Sequence, residues 1–465
     1  MPLALSFLAA ACGAGPAVPL GSPPAPVTAA PAPPVQPPAP PTAPETTPPA
    51  PETVQPPAPP TAPETTPPQA TRYPASAPLS PLTPSVASRI REIAARNPNL
   101  DDHRFLKAGG SGTVNPDFLA CFAARTGPFY KVELGDHGAL ASTLDWFRPT
   151  SRNAPDPFAR WSKAAEVGRT ADWALRGKPS PLEAELAALH PRFAVVEFGT
   201  NDMVMGVTPR SALFRFADRL ATLLDRLIAA GVVPVLTGVG PRAHAPAVSA
   251  WVPTYDAVMR ALAEARQVPY VSLAVAQRDL PHQGLAGDGM HADALSTGTI
   301  ATPCVLTSEG LRHGYNVRNR LTLSALDRLR ATLFTPDAGP PTDEARAPLL
   351  GTGTAGDPFV IDGLPFSHLI RDKAAGPALY RLSVATPTPV RLIVLPAGPG
   401  GAGGATMRLI DAAGGDPEKG RKRADPRVLE RRLDAGDYTL RVDVPAGPGL
   451  LLIAVACEPG DTDCR

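Results

Sequence analysis

Two mostly apolar runs, Phe193–Phe198 and Val232–Thr237, constrain this chain most. A strand without alternation of apolar and polar residues is covered on both faces, which is the habit of parallel sheets. Each run is followed by a helical pattern: a long amphipathic one over Ser211–Ala230 and another over Thr254–Ala265. The alternation extends outward. Val86, Ile90 and Ile93 have helical spacing, and Arg104–Ala108 reads as a short strand. Pro116–Arg125 and His137–Phe147 are predicted helices, Phe158–Ala165 a strand, Thr170–Leu175 and Leu182–Leu189 helices, and Pro269–Leu273 a last short strand before a helix over Ser308–Leu333. Strands alternating with helices predict βαβ units and a parallel sheet covered on both faces over residues 85–336. Ligands of such sheets gather at the carboxyl ends of the strands.

The flanks are of different character. At 465 residues the chain has room for two or three domains. Residues 13–84 are mostly Pro, Ala and Thr, and the stretch Val35–Pro49 recurs intact as Val54–Pro68. Such a segment lacks amide donors and large apolar side chains, so it predicts an extended polyproline-like spacer. Ahead of it, Leu3–Ala11 is apolar but far short of the about 20 residues that span a bilayer. Residues 1–12 therefore read as a signal segment. Leu8–Cys12 resembles a bacterial lipobox, which implies lipidation of Cys12 and a chain exported to the cell envelope or secreted, with a membrane association through that anchor. Beyond Pro336 a Pro/Gly/Asp-rich joint leads into residues 349–465. There, short alternating segments (Pro358–Asp362, Leu379–Val384, Val390–Leu395, Met407–Asp411, Tyr438–Val444, Leu450–Ala456) predict a small β-sandwich. The run Gly398–Gly404 does not lie between a strand and a helix and reads as a loop.

A net charge of +1 and 5% aromatic content leave no basic or stacking surface for nucleic acid. Cys121, Cys304, Cys457 and Cys464 allow three disulfide pairings, and Cys457 and Cys464 flank a short turn suited to a small closed loop. No spacing resembles a zinc site, and neither metal nor cofactor is expected. Oligomeric state is left open.

Three blocks and a glycine carry the chemistry. Gly109-Gly110-Ser111-Gly112 follows the first strand, where a turn of small residues lets a Ser project into the ligand crevice and leaves its amide to meet an oxyanion. A nucleotide loop is disfavoured, because Asn115 stands where the Gly-x-Gly-x-x-Gly pattern needs its last Gly. Gly199-Thr200-Asn201-Asp202 follows the run at Phe198, and an Asn there can aim its amide at developing negative charge. In Asp288-Gly289-Met290-His291 a carboxylate three residues before a His can hold its Nδ1 within one loop. Gly168, between Val167 and a predicted helix, can supply a further backbone donor.

In this order the blocks resemble the SGNH (GDSL-type) hydrolase family over about residues 86–335. The resemblance implies a three-layer α/β/α fold with a flavodoxin-like parallel sheet. It implies Ser111 as nucleophile, His291 as base and Asp288 as its orienting acid, with the Ser111 amide, the Gly168 amide and the Asn201 side chain as oxyanion hole. Gly310–Asp327 looks like the closing helix of some bacterial members. One departure stands out: Gly110 replaces the usual Asp of the first block, which leaves the nucleophile flanked by two glycines. The function implied is hydrolysis of a small-molecule or polysaccharide ester, carbohydrate O-deacetylation included. The alternative is a surface-binding protein that keeps the fold without turnover. Leu433–Val442 looks like the closing motif of bacterial pre-peptidase C-terminal domains, small β-sandwiches appended to secreted enzymes.

Overall fold

The run that opened the sequence reading is the centre of a sheet. Strand β2 (Pro191–Glu197) is buried at every position and lies between β1 (Asp101–Gly109) and β3 (Val233–Thr237), with β4 (Tyr270–Val271) beyond. All three pairings are parallel, with Phe193 opposite Phe105 on one side and Val233 on the other. The computed structural model describes residues 70–151, 154–335, 343–370, 376–396, 404–416, 425–444 and 449–456. The signal segment with Cys12, the proline-rich repeat, the Gly398–Gly403 stretch, Cys457 and Cys464 lie outside the described residues.

The helices Pro84–Ala95, Ala141–Phe147 and Gly314–Phe334 form one layer, and Ala171–Ala174, Pro181–Leu189, Pro209–Ala229 and Val252–Arg266 the other. The domain is a three-layer α/β/α sandwich. A small hairpin, β5 (Ser296–Thr297) and β6 (Ile300–Ala301), precedes the last helix.

Three expectations differ from what the chain does. The strand expected over Phe158–Ala165 shrinks to one parallel bridge between Ala165 and Gly109. Pro155 and Pro157, just ahead of it, bring no amide donors to its entry. Its backbone is also engaged elsewhere: Asp156 Oδ1 accepts from Phe158 N–H at 2.9 Å, and the Phe158 carbonyl accepts from the buried Lys107 Nζ at 2.8 Å. The helix expected over Pro116–Arg125 is a single tight turn, Ala120–Phe122. Leu119 is left-handed (φ 65°) and donates its N–H to Asn319, and Cys121 is bonded to Cys304. Thirdly, the segment from Ala70 to Leu82, read as linker, is packed. Ser80 N–H donates to the Tyr270 carbonyl at 2.8 Å, Ser272 N–H to the Pro78 carbonyl at 2.9 Å, and Tyr73 is only 2% exposed. This strap covers the otherwise open edge of β4.

The C-terminal region has two four-stranded sheets. One holds β8 (Phe366–Ile370), β10 (Thr388–Pro396), β12 (Val428–Leu433) and β14 (Gly449–Val455), in the order β12-β10-β14-β8. The other holds β7 (Phe359–Val360), β9 (Ala378–Val384), β11 (Thr406–Asp411) and β13 (Gly436–Asp443), in the order β11-β13-β9-β7. Leu392, Val394, Leu451 and Ile453 face Tyr380, Leu382, Leu409 and Leu440 across the interior. The alternate residues Ile393, Leu395, Leu450 and Leu452 belong to the α/β core, because this sheet packs against the helices Pro209–Ala229 and Val252–Arg266. Arg391 seals that junction: its guanidinium lies 3.6 Å from the Trp251 ring centre and donates to Thr254 Oγ1 at 2.6 Å.

Candidate active site

Strand β1 delivers the serine. A Cβ at Gly109 would overlap Thr113 Oγ1 and the Glu197 carbonyl, so only glycine lets the chain pass β2 this closely. The next residues form the one-turn helix Ser111–Val114. Ser111 stands in its first turn, where an amide has no intrahelical acceptor.

Ser111 Oγ lies 2.9 Å from His291 Nε2. On the other side of the ring, His291 Nδ1 is 2.6 Å from Asp288 Oδ2. With Nδ1 facing a carboxylate, the neutral ring carries its proton there and Nε2 accepts from the hydroxyl. Asp288 Oδ1 also accepts the backbone N–H groups of Met290 and His291, each at 2.9 Å. The His291 side chain first, then its backbone N–H, hold Asp288 down at about 2. A bond from Ala286 N–H to the His291 carbonyl, 2.9 Å, closes the loop on itself.

Asn201 follows β2. Its Nδ2 donates to the Arg169 carbonyl at 3.0 Å and lies 2.9 Å from where a Cβ on Gly110 would be. The Asn201 amide thus occupies space that a side chain at Gly110 would need. Asp202 braces this loop by accepting N–H from Gly199 at 3.0 Å and from Ala171 at 3.1 Å. Its burial outweighs these bonds and pushes it up to about 6. Gly168 adopts a left-handed turn (φ 77°) and is exposed; its neighbour Arg169, not Gly168 itself, lines the cleft.

The sequence reading missed the support beneath Ser111. Arg318, on the last helix, donates from Nη1 to the Gly112 carbonyl at 2.9 Å and from Nη2 to Glu197 at 2.9 Å. Thr113 Oγ1 donates to the same Glu197 carboxylate at 3.0 Å, and Tyr315 Oη to the Gly112 carbonyl at 3.3 Å. The Phe118 ring centre lies 3.8 Å from the Arg318 guanidinium. The start of the same helix is held by Asp293, two residues past His291, whose Oδ1 accepts Gly314 N–H at 2.7 Å. One helix therefore bears on both the serine and the histidine loops. A signal was present: Glu197 is the single charge inside an apolar run.

Ser111, Asn201, Glu197, His291 and Arg318 line a small cleft of about 50 Å³, together with Arg242. Among the described residues no cluster of three His, Cys, Asp or Glu side chains is placed to hold a metal.

Several solved structures are similar to the chain at low identity. A GDSL-like lipase from Bacteroides thetaiotaomicron is 16% identical, with 52% of this chain and 98% of that one covered and a TM-score of 0.30. An acetyl-xylooligosaccharide esterase variant from Geobacillus is 16% identical, with 48% and 93% covered and a TM-score of 0.29. The esterase EstA from Pseudoalteromonas is 14% identical, with 49% and 98% covered and a TM-score of 0.29. No curated protein matches the chain. Residues 135–295, which contain Gly168, Asn201, Asp288 and His291 and begin after Ser111, match the sequence profile of the GDSL-like lipase/acylhydrolase family.

Proposed function

We propose that this domain hydrolyses esters of short acyl groups with Ser111 as nucleophile. The observation that carries the reading is the unbroken relay from Ser111 Oγ through His291 to Asp288, set at the carboxyl end of the sheet. Ser111 Oγ attacks the ester carbonyl while His291 Nε2 takes its proton. Asp288 stabilises the imidazolium, and the tetrahedral oxyanion is met by the Ser111 amide and Asn201 Nδ2. Gly168, next to the cleft-lining Arg169, is proposed as the third donor. The imidazolium then protonates the departing alkoxide, and water activated by His291 releases the acyl group from Ser111. The cleft of about 50 Å³ supports a short acyl group, since sites that enclose larger ligands run to about 300–1,000 Å³. Export is part of the proposal. The Cys121–Cys304 disulfide supports it, because such bonds persist in oxidising compartments.

The test is a fluorophosphonate probe with peptide mapping, alongside hydrolysis of 4-nitrophenyl acetate and octanoate. The expected result is labelling at Ser111, faster turnover of the acetate, and loss of both in Ser111→Ala. Folded protein that neither labels nor turns over either ester would overturn the reading in favour of a binding role.

A further inference from the structure

Three arginines line the cleft, and two of them are neutralised. Arg318 is locked to Glu197, and Arg169 is paired with Glu166 through Nε at 2.9 Å. Arg242 differs. It sits on the loop after β3, half-buried, and its Nε donates to the His244 carbonyl at 3.0 Å. Among the described residues neither of its terminal nitrogens has an acceptor, and no carboxylate pairs with it. Its backbone is fixed to the acid–base loop: Ala243 and His244 both donate N–H to the Gly289 carbonyl, at 2.8 and 2.9 Å. The neighbouring Asp288 is already engaged by His291, and Glu197, the only described carboxylate lining the cleft, by Arg318 and Thr113.

A guanidinium partly removed from water without a counter-charge is held at a cost that an incoming anion offsets. Burial pushes Arg242 downward for the same reason. A planar fork with free terminal donors is matched to a carboxylate.

We propose that Arg242 makes this site selective for esters that carry a carboxylate a few bonds from the scissile carbonyl. This rests on the hydrolase reading above. The carboxylate can belong to the alcohol, as in an acetylated acidic sugar, or to the acyl group, as in a hemisuccinate. Two matched pairs separate these sources: 4-acetoxybenzoate against 4-acetoxybenzamide, and 4-nitrophenyl hemisuccinate against 4-nitrophenyl butyrate. The expected ratio of kcat/KM, charged over neutral, is about 10- to 100-fold in one pair, the worth of a charge-assisted contact. It falls to near one in Arg242→Gln and is partly kept in Arg242→Lys. Ratios near one for both pairs in the native protein, or a ratio that survives Arg242→Gln, would overturn the proposal and leave the hydrolase reading standing. Calorimetric titration of 4-acetoxybenzoate into Ser111→Ala protein, with and without Arg242→Gln, separates the converse. If the native protein turns over none of these esters, Arg242-dependent binding in this titration upholds the anion site while the hydrolase reading falls, whereas no Arg242-dependent binding sinks the anion site as well.

Discussion

The serine loop and the acid–base loop meet at 2.9 Å but are held by opposite means. The side chains under Ser111 are deeply buried, 3% exposed for Arg318 and 11% for Glu197, whereas His291 and Asp288 are 35% and 48% exposed. The acid–base loop closes within four residues, through bonds among Asp288, Met290 and His291. The serine loop is ordered by partners that lie 84 and 206 positions away along the chain. Read from the sequence, the glycine-flanked serine is the loose end. The structure transfers its support from the side chain missing at Gly110 to Arg318 and Glu197. Order at Ser111 is tertiary, whereas the Asp288–His291 contact itself is local and only the surrounding loop, at Gly289, is tied to a distant segment.

This contrast separates catalysis from stability. Asp288→Asn should lower kcat by about 10²- to 10⁴-fold, because the histidine loses its orienting carboxylate. Its midpoint in urea should move less than that of Arg318→Ala, since the loop is exposed; an equal or larger stability loss there would break the comparison. Arg318→Ala should do both, with kcat falling and stability dropping by about 3–5 kcal/mol as Glu197 is left buried and unpaired. Replacing the pair together, Arg318→Met with Glu197→Gln, should recover most of that stability in urea titrations without recovering kcat. Removing the disulfide by Cys121→Ser with Cys304→Ser should cost about 2–5 kcal/mol, because it ties the segment after Ser111 to the approach to the last helix.

The smallest effect is a pH signature that differs in sign between two carboxylates. Asp288, held at about 2, contributes stability present above the ordinary carboxylate range and lost as pH falls through about 2. Asp202, pushed up to about 6 by burial, binds its proton more tightly in the folded state. Stability should therefore fall as pH rises from about 4 to about 6, by at most about 3 kcal/mol, and be level above that. In Asp202→Asn, urea unfolding across this range should lose the slope.

What the sequence revealed follows the same division. The central strands announced themselves because a run such as Phe193–Val196 has no polar face to show. The Asp288–His291 pair was readable from a spacing of three. Alternation marked β9, β11 and β13, but β12 was hidden by Glu430, Arg431 and Arg432, whose charges sit on a strand buried at its ends. In β10 and β14 the continuous apolar character was visible, yet it reports two different cores, one on each face, which no local pattern can assign. Arg318 was illegible for a related reason. The last helix also carries Arg320, Arg328 and Arg330, and only the packed structure turns Arg318 alone toward Gly112 and Glu197.

The strap before the first helix bears on how the chain tolerates proteases. Besides covering β4, it is fastened to the C-terminal region: Arg72 donates to Asp362 at 2.8 and 3.0 Å, and Arg346 reaches the same carboxylate at 2.6 Å. A cut before Ala70 would remove the proline-rich segment and leave this fastening whole. A cut between Tyr73 and Ser85 would bare a sheet edge, empty the pocket of the Tyr73 ring and unclasp Asp362 in one event. Cleavage a dozen residues apart would thus leave either an intact fold or one prone to aggregate through its exposed edge.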